Sequence, residues 1–169
     1  MSTAALPLVL AVLTILFGQG MGIVFGLNEG SIKSHLKASA AEVRVAVYNS
    51  DDAAAKAVLA KSWTYMLRAH MHAGGMGTTA LGLIVLLCLL GTSPRLLIGT
   101  GVGLGAGGLG YSVFWMWAGF RAPGLGSTSA AKDSLEWLAI PSSGAFVLAT
   151  FTVIILLIIN LVRRKRAEP

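Results

Sequence analysis

The segment Arg68-Ala69-His70-Met71-His72-Ala73-Gly74-Gly75-Met76-Gly77 holds the residues of this chain best equipped for chemistry. Two histidines and an arginine stand where a long apolar run begins, and ionisable groups at a membrane boundary are functional candidates by default because burying them unpaired is costly. On a helix, positions i and i+2 lie about 200° apart. His70 and His72 therefore face opposite ways and cannot chelate one ion together, whereas a two-histidine zinc motif needs i and i+4 on one face. His70 shares its face with Gly74 and Gly77, a strip without side chains on which a planar ring could lie. His72 sits over Arg68 and toward Gly75, Met76 and Thr79. One face suits a haem ligand and the other a hydrogen bond to the loop. The plainer alternative is a pair of interfacial histidines wetted by headgroup water.

A second constellation follows the first apolar run: Gln19 within it, then Asn28, Glu29, Lys33 and His35. If the first two runs pack together, Glu29, Lys33 and His35 meet Arg68 and His72. Glu29 with Arg68 or Lys33 is a structural ion pair. With His35 or His72 it makes a mixed nitrogen and oxygen metal site or a proton relay, so the candidate metal ligands are His70, His72, Glu29 and His35. Glu136, beside Trp137, reads as a helix-start carboxylate favoured by the macrodipole. The lone Cys88 lies in an apolar run, which leaves no disulfide framework and no cysteine-based metal site.

The elements that must position these residues are membrane spans. The chain has 169 residues, 55% hydrophobic and 12% charged, with a mean hydropathy of +0.76. A soluble chain carries about 25% charged residues, so a soluble enzyme, a disordered chain and a nucleic-acid-binding domain are excluded, the net charge of +6 notwithstanding. A spanning helix needs about 20 predominantly apolar residues, and four stretches qualify, near 5–27, 66–90, 96–120 and 138–162. The first lacks the basic n-region and A-x-A site of a cleaved signal and is expected to be retained. The expected fold is an all-α integral membrane protein: one membrane domain, 1–169, forming a four-transmembrane-helix bundle with a partly helical loop at 28–65 and a basic tail at 163–169.

Pro94 in the tight turn 91–95 makes spans two and three antiparallel neighbours. In the long loop, Leu36, Ala40, Val43 and Val47 recur at helical spacing and predict a short amphipathic helix. Asn49-Ser50-Asp51-Asp52 supplies a turn and N-caps. From there only glycines interrupt the pattern up to Leu90, so span two is expected to project beyond the bilayer, with Ala55, Val58, Leu59 and Trp63 on its apolar side.

Span three carries Gly99, Gly101, Gly103, Gly105, Gly107, Gly108 and Gly110. Its formal dinucleotide fingerprint lacks any βαβ context. Gly99, Gly103 and Gly107 instead predict a glycine-zipper ridge for a neighbouring span, a second subunit or a flat cofactor. Trp63, Tyr65, Trp115, Trp117, Phe120 and Trp137 gather at the long-loop side as an aromatic belt. Basic residues are more numerous on that side, but the dense Arg163–Arg166 run touching a span end favours cytoplasmic termini.

Ala69-His70-Met71-His72, with Gly77 five residues further on at the start of the second of four spans, resembles the small relatives of the haem-copper oxidase catalytic subunit, in which an Ala-His-Ala-His-Leu-type motif opens the second span. The resemblance implies that His70 matches the axial histidine of a low-spin haem and that this end of the span faces away from the cytoplasm. No later span holds a histidine, and Ala73-Gly74-Gly75-Met76 replaces the expected leucines. Oxygen reduction is therefore excluded on ligand count. A single haem b on His70 remains, with a sixth ligand from Met, His35 or another chain and with Arg68 and Arg121 on the propionates.

Three functions compete. The first is a haem-binding or electron-transport module of the bacterial inner membrane. The second is a non-catalytic docking subunit, in a homo-oligomer or a larger membrane complex. The third is a small-solute or ion transporter, to which the absence of a visible repeat lends no support. No nucleophile–base–orienter set can be assembled for a hydrolase, and the partners are lipid and protein rather than nucleic acid.

Overall fold

The computed structural model describes residues 3–167. Four long helices and one short one follow in order: α1 (Ala5–Glu42), α2 (Asp52–Leu89), α3 (Pro94–Leu125), α4 (Thr128–Asp133) and α5 (Glu136–Ala167). Each of α1, α2, α3 and α5 is long and apolar enough to cross a membrane. The chain is thus an all-α, membrane-integral bundle. Residues 168–169 of the basic tail lie outside the described residues, as do the side chains of Arg164 and Arg166.

The charges mark the slab. Residues 69–94, 96–120 and 137–162 hold no Asp, Glu, Lys or Arg, and neither does the chain before Glu29. Arg95 and Arg163 bound one side; Glu29, Arg68, Arg121 and Glu136 bound the other. Both α1 and α2 run past the second boundary by fourteen to sixteen residues, or ~20 Å at the helical rise. Together they form an antiparallel hairpin standing off the membrane.

The apolar periodicity of the long loop predicts a separate short helix there. Instead α1 continues through a kink at Asn28 (φ −126°, ψ 19°) as far as Glu42. Gly26 and Gly30 flank the kink, and glycine weakens the helix there. Burial carries the helix onward: Leu36 and Ala40 are 1% and 4% exposed. The projection of α2 beyond the bilayer is as expected.

The centre of the bundle is α3, which touches α1, α2 and α5, whereas α5 meets the rest almost entirely through α3. Glycines make this possible, on two ridges rather than the one expected. Gly101 and Gly105 face α1, where an added Cβ would lie 2.6 Å from Pro7 Cβ and from Leu10 Cβ respectively. Gly103 and Gly107 face α5; at Gly107 a Cβ would sit 2.7 Å from the Ser142 carbonyl oxygen and 2.9 Å from the Phe146 nitrogen. Gly99, expected on the ridge, faces open space, with nothing within 4 Å of such a Cβ. Thr14, fully buried, hydrogen-bonds the Gly105 carbonyl at 3.1 Å and ties α1 to α3.

Candidate functional site

His70 and His72 do face opposite ways. His70 turns to α1, where its Nδ1 lies 2.8 Å from the Gly18 carbonyl oxygen, which accepts from Nδ1–H. His72 turns to α3: its ring is 5.3 Å from Tyr111 and 6.0 Å from Trp115, and its Nδ1 is 2.7 Å from the Arg68 carbonyl oxygen one turn back.

The glycine strip beside His70 is closed at Gly77 but open at Gly74, where an added Cβ would meet nothing within 4 Å. An added Cβ at Gly77 would lie 2.7 Å from Ile15 Cγ1 and 2.9 Å from Ile15 N. One at Gly18 would lie 2.9 Å from Gly74 N, and one at Gly22 would lie 2.9 Å from His70 Cε1. The strip is where the backbones of α1 and α2 meet, and the His70 ring fills the notch over Gly22. In this packing the face over Gly77 and Gly22 is closed to a macrocycle, while Gly74 stays open.

Arg68 does not reach Glu29. Its guanidinium lies over the rings of Tyr65 (5.5 Å) and Trp115 (5.1 Å) on the α3 side of the hairpin. Such cation–π contacts hold a cation at the headgroup level against an aromatic floor. Tyr65 and Trp115 pack edge to face at 4.8 Å. Glu29 pairs with Lys33 one turn on, the structural ion pair among the alternatives, and Lys33 also lies 4.8 Å above the Trp63 ring.

His35 is exposed and meets the Phe120 ring edge at 6.2 Å. It stands thirteen residues beyond Gly22 on α1, ~20 Å from the His70 level. Arg121 is half-buried and in no ion pair among the described residues. Glu136 opens α5 as a first-turn acid, as expected. Among the described residues no three His, Cys, Asp or Glu side chains gather to hold a metal ion. The candidate ligands His70, His72, Glu29 and His35 thus lie in four separate surroundings.

The hairpin tip turns and caps at 49–52 as the sequence predicts, but how it is pinned was not legible there. After α1, the turn at Asn49 (φ 51°) and Ser50 (φ 62°) reverses the chain, and Asp51 caps α2 by accepting from the Ala53 and Ala54 backbone N–H groups. Arg44 donates from Nε and Nη2 to both carboxylate oxygens of Asp52, at 2.9 and 3.1 Å. The Tyr48 hydroxyl donates to the Pro123 carbonyl at 2.8 Å, fixing the tip to the end of α3, and burial pushes its pKa above the ordinary 10.0. Val47 covers Gly126, whose left-handed φ of 66° ends α3.

The tip is therefore ordered, yet it displays apolar surface: Val45 is 75%, Val47 42% and Leu125 39% exposed. The advance signal was the alternation of Val43, Val45 and Val47, since three valines cannot all turn inward from a short connection. Comparison with protein-family models, with curated proteins and with solved structures yields no match.

Proposed function

We propose that this chain is a non-catalytic docking subunit of a larger complex in a bacterial inner membrane, with the α1–α2 hairpin as its docking element. The observation that carries this reading is the pinned tip. Val45 stands, 75% exposed, at the end of a hairpin that reaches ~20 Å past the charge boundary. Exposed aliphatic side chains inside the slab are solvated by lipid, but at the tip they face water, and such apolar surface marks interaction sites. Arg44–Asp52, Tyr48–Pro123 and the Asp51 cap hold it in one shape, which lowers the ordering cost of binding.

The Arg163–Arg166 run supports cytoplasmic termini, with the hairpin on the opposite side. The packed notch around His70 supports a structural role for the histidine pair: His70 seats α1 on α2, and His72 seats α2 on the aromatic residues of α3.

The test is purification from native membranes in mild detergent with haem supplied during growth. The docking reading expects a preparation without a Soret band that retains a second polypeptide in fixed ratio. It expects Val45→Asp to lose that polypeptide while keeping its helical content. A Soret band abolished by His70→Ala would overturn it in favour of the haem-binding module.

A further inference from the structure

Along the hairpin, on the side turned from α3, a groove runs between α1 and α2. Near the membrane it holds about 330 Å³, lined by Lys33, Leu36, Lys37, Leu59, Ala60 and Trp63. Toward the tip it continues for about 240 Å³ past Ala40, Ala55 and Lys56 to Arg44 and Asp52, sharing Lys37 and Leu59 with the first part. From Trp63 to Asp52 it is eleven residues long, ~16 Å or three helical turns.

The floor is aliphatic and the rim is basic. Lys33 is already matched by Glu29, and Arg44 by Asp52. Lys37 and Lys56 are exposed, one on each wall, with no carboxylate partner among the described residues. We infer that this groove receives an acidic amphipathic helix of a partner protein, its apolar face on Leu59, Ala60 and Trp63 and its carboxylates on Lys37 and Lys56. This inference rests on the docking reading and specifies the partner's chemistry.

The geometry argues against other occupants. Headgroups extend only ~5–8 Å beyond the hydrocarbon on each side, whereas the groove climbs to the tip, so a lipid would leave most of it bare. A second copy of the hairpin would bring its own Lys37 and Lys56 against these, and like charges facing each other at an interface are strongly disfavoured. Two antiparallel helices with an apolar seam accept a third helix through anchors spaced i, i+3/i+4 and i+7.

The probe is a labelled 18-residue synthetic helix with leucine on one face and glutamate along both flanks. Its counterpart carries lysine in place of glutamate. Each is titrated by fluorescence anisotropy onto the full chain in phosphatidylcholine nanodiscs. The expected result is at least tenfold tighter binding of the acidic peptide, weakening as salt is raised. The double variant Lys37→Glu/Lys56→Glu should invert the preference. Both lysines are exposed, so the double variant should keep its helical content. Equal binding of the two peptides would overturn the inference, as would a preference indifferent to the lysine reversal. So would competition by phosphatidylglycerol discs that abolishes binding, which would assign the groove to lipid, or dimerisation sensitive to Lys37→Glu, which would assign it to a second copy. If the groove variants bind native partners normally while Val45→Asp does not, this inference fails and the docking reading stands.

Discussion

Tyr48 carries much of the tip's order in one hydroxyl. Its hydrogen bond to the Pro123 carbonyl spans 75 residues of sequence, and the ring is 5% exposed. Replacing it with phenylalanine should cost about 1 kcal/mol, the net worth of such a bond. Burial also holds the phenol protonated above its ordinary 10.0. The stabilising bond is therefore fully present below pH 10 and is lost as the pH climbs through the raised value, because the unfolded tip ionises first. The stability gap between the wild type and Tyr48→Phe should narrow above pH 10 in thermal melts. A gap that stays constant to pH 11 would show that the hydroxyl is not what holds the tip. At this scale the sequence was partly legible. The i, i+2 spacing of His70 and His72 predicted their opposite faces, and the aromatic residues predicted a belt. The partners were not legible: whether Arg68 turns to Glu29 or to Trp115 depends on which flank of α2 meets α3, and helical spacing carries no information about that.

Between elements, glycine phase decides the packing. The seven glycines from Gly99 to Gly110 guarantee close approach by some neighbour, yet they fit several ridges equally, because steps of two, three and four all occur among them. The expected Gly99–Gly103–Gly107 ridge was right for two members and wrong for the third, since α5 meets α3 from Gly103 toward Gly110 while Gly99 stays open. Gly107→Leu would press a side chain onto the α5 backbone at Ser142 and Phe146, whereas a Cβ added at Gly99 meets nothing within 4 Å. The first should detach α5, read as loss of a disulfide engineered between α3 and α5; the second should leave cross-linking intact. Equal tolerance of both would contradict this packing. The long loop shows another limit. Its apolar periodicity was legible, but its fusion with α1 was not, because Asn28 between Gly26 and Gly30 looks like a helix end in sequence and is a kink in the structure.

The whole molecule is a slab with a mast. Four spans were legible from composition, because uncharged runs long enough to cross a bilayer are rare in chains that fold in water. The mast was only half legible: span two was expected to project, while span one was expected to stop at Leu27. The side of the membrane proposed for it rests on the density of the Arg163–Arg166 run. Fused to alkaline phosphatase at its C-terminus, the chain should give an inactive enzyme, and a fusion at Ser50 should give an active one; the reverse pattern would invert the orientation. The central claim is that the mast carries a protein partner, and the most direct measurement is site-specific photo-cross-linking in native membranes. A photoreactive residue at Val45 (75% exposed, at the tip) is compared with one at Leu148 (68% exposed, within the slab). The account predicts one discrete polypeptide adduct from Val45 and lipid adducts from Leu148. No polypeptide adduct at Val45, or the same adducts at both positions, would contradict it.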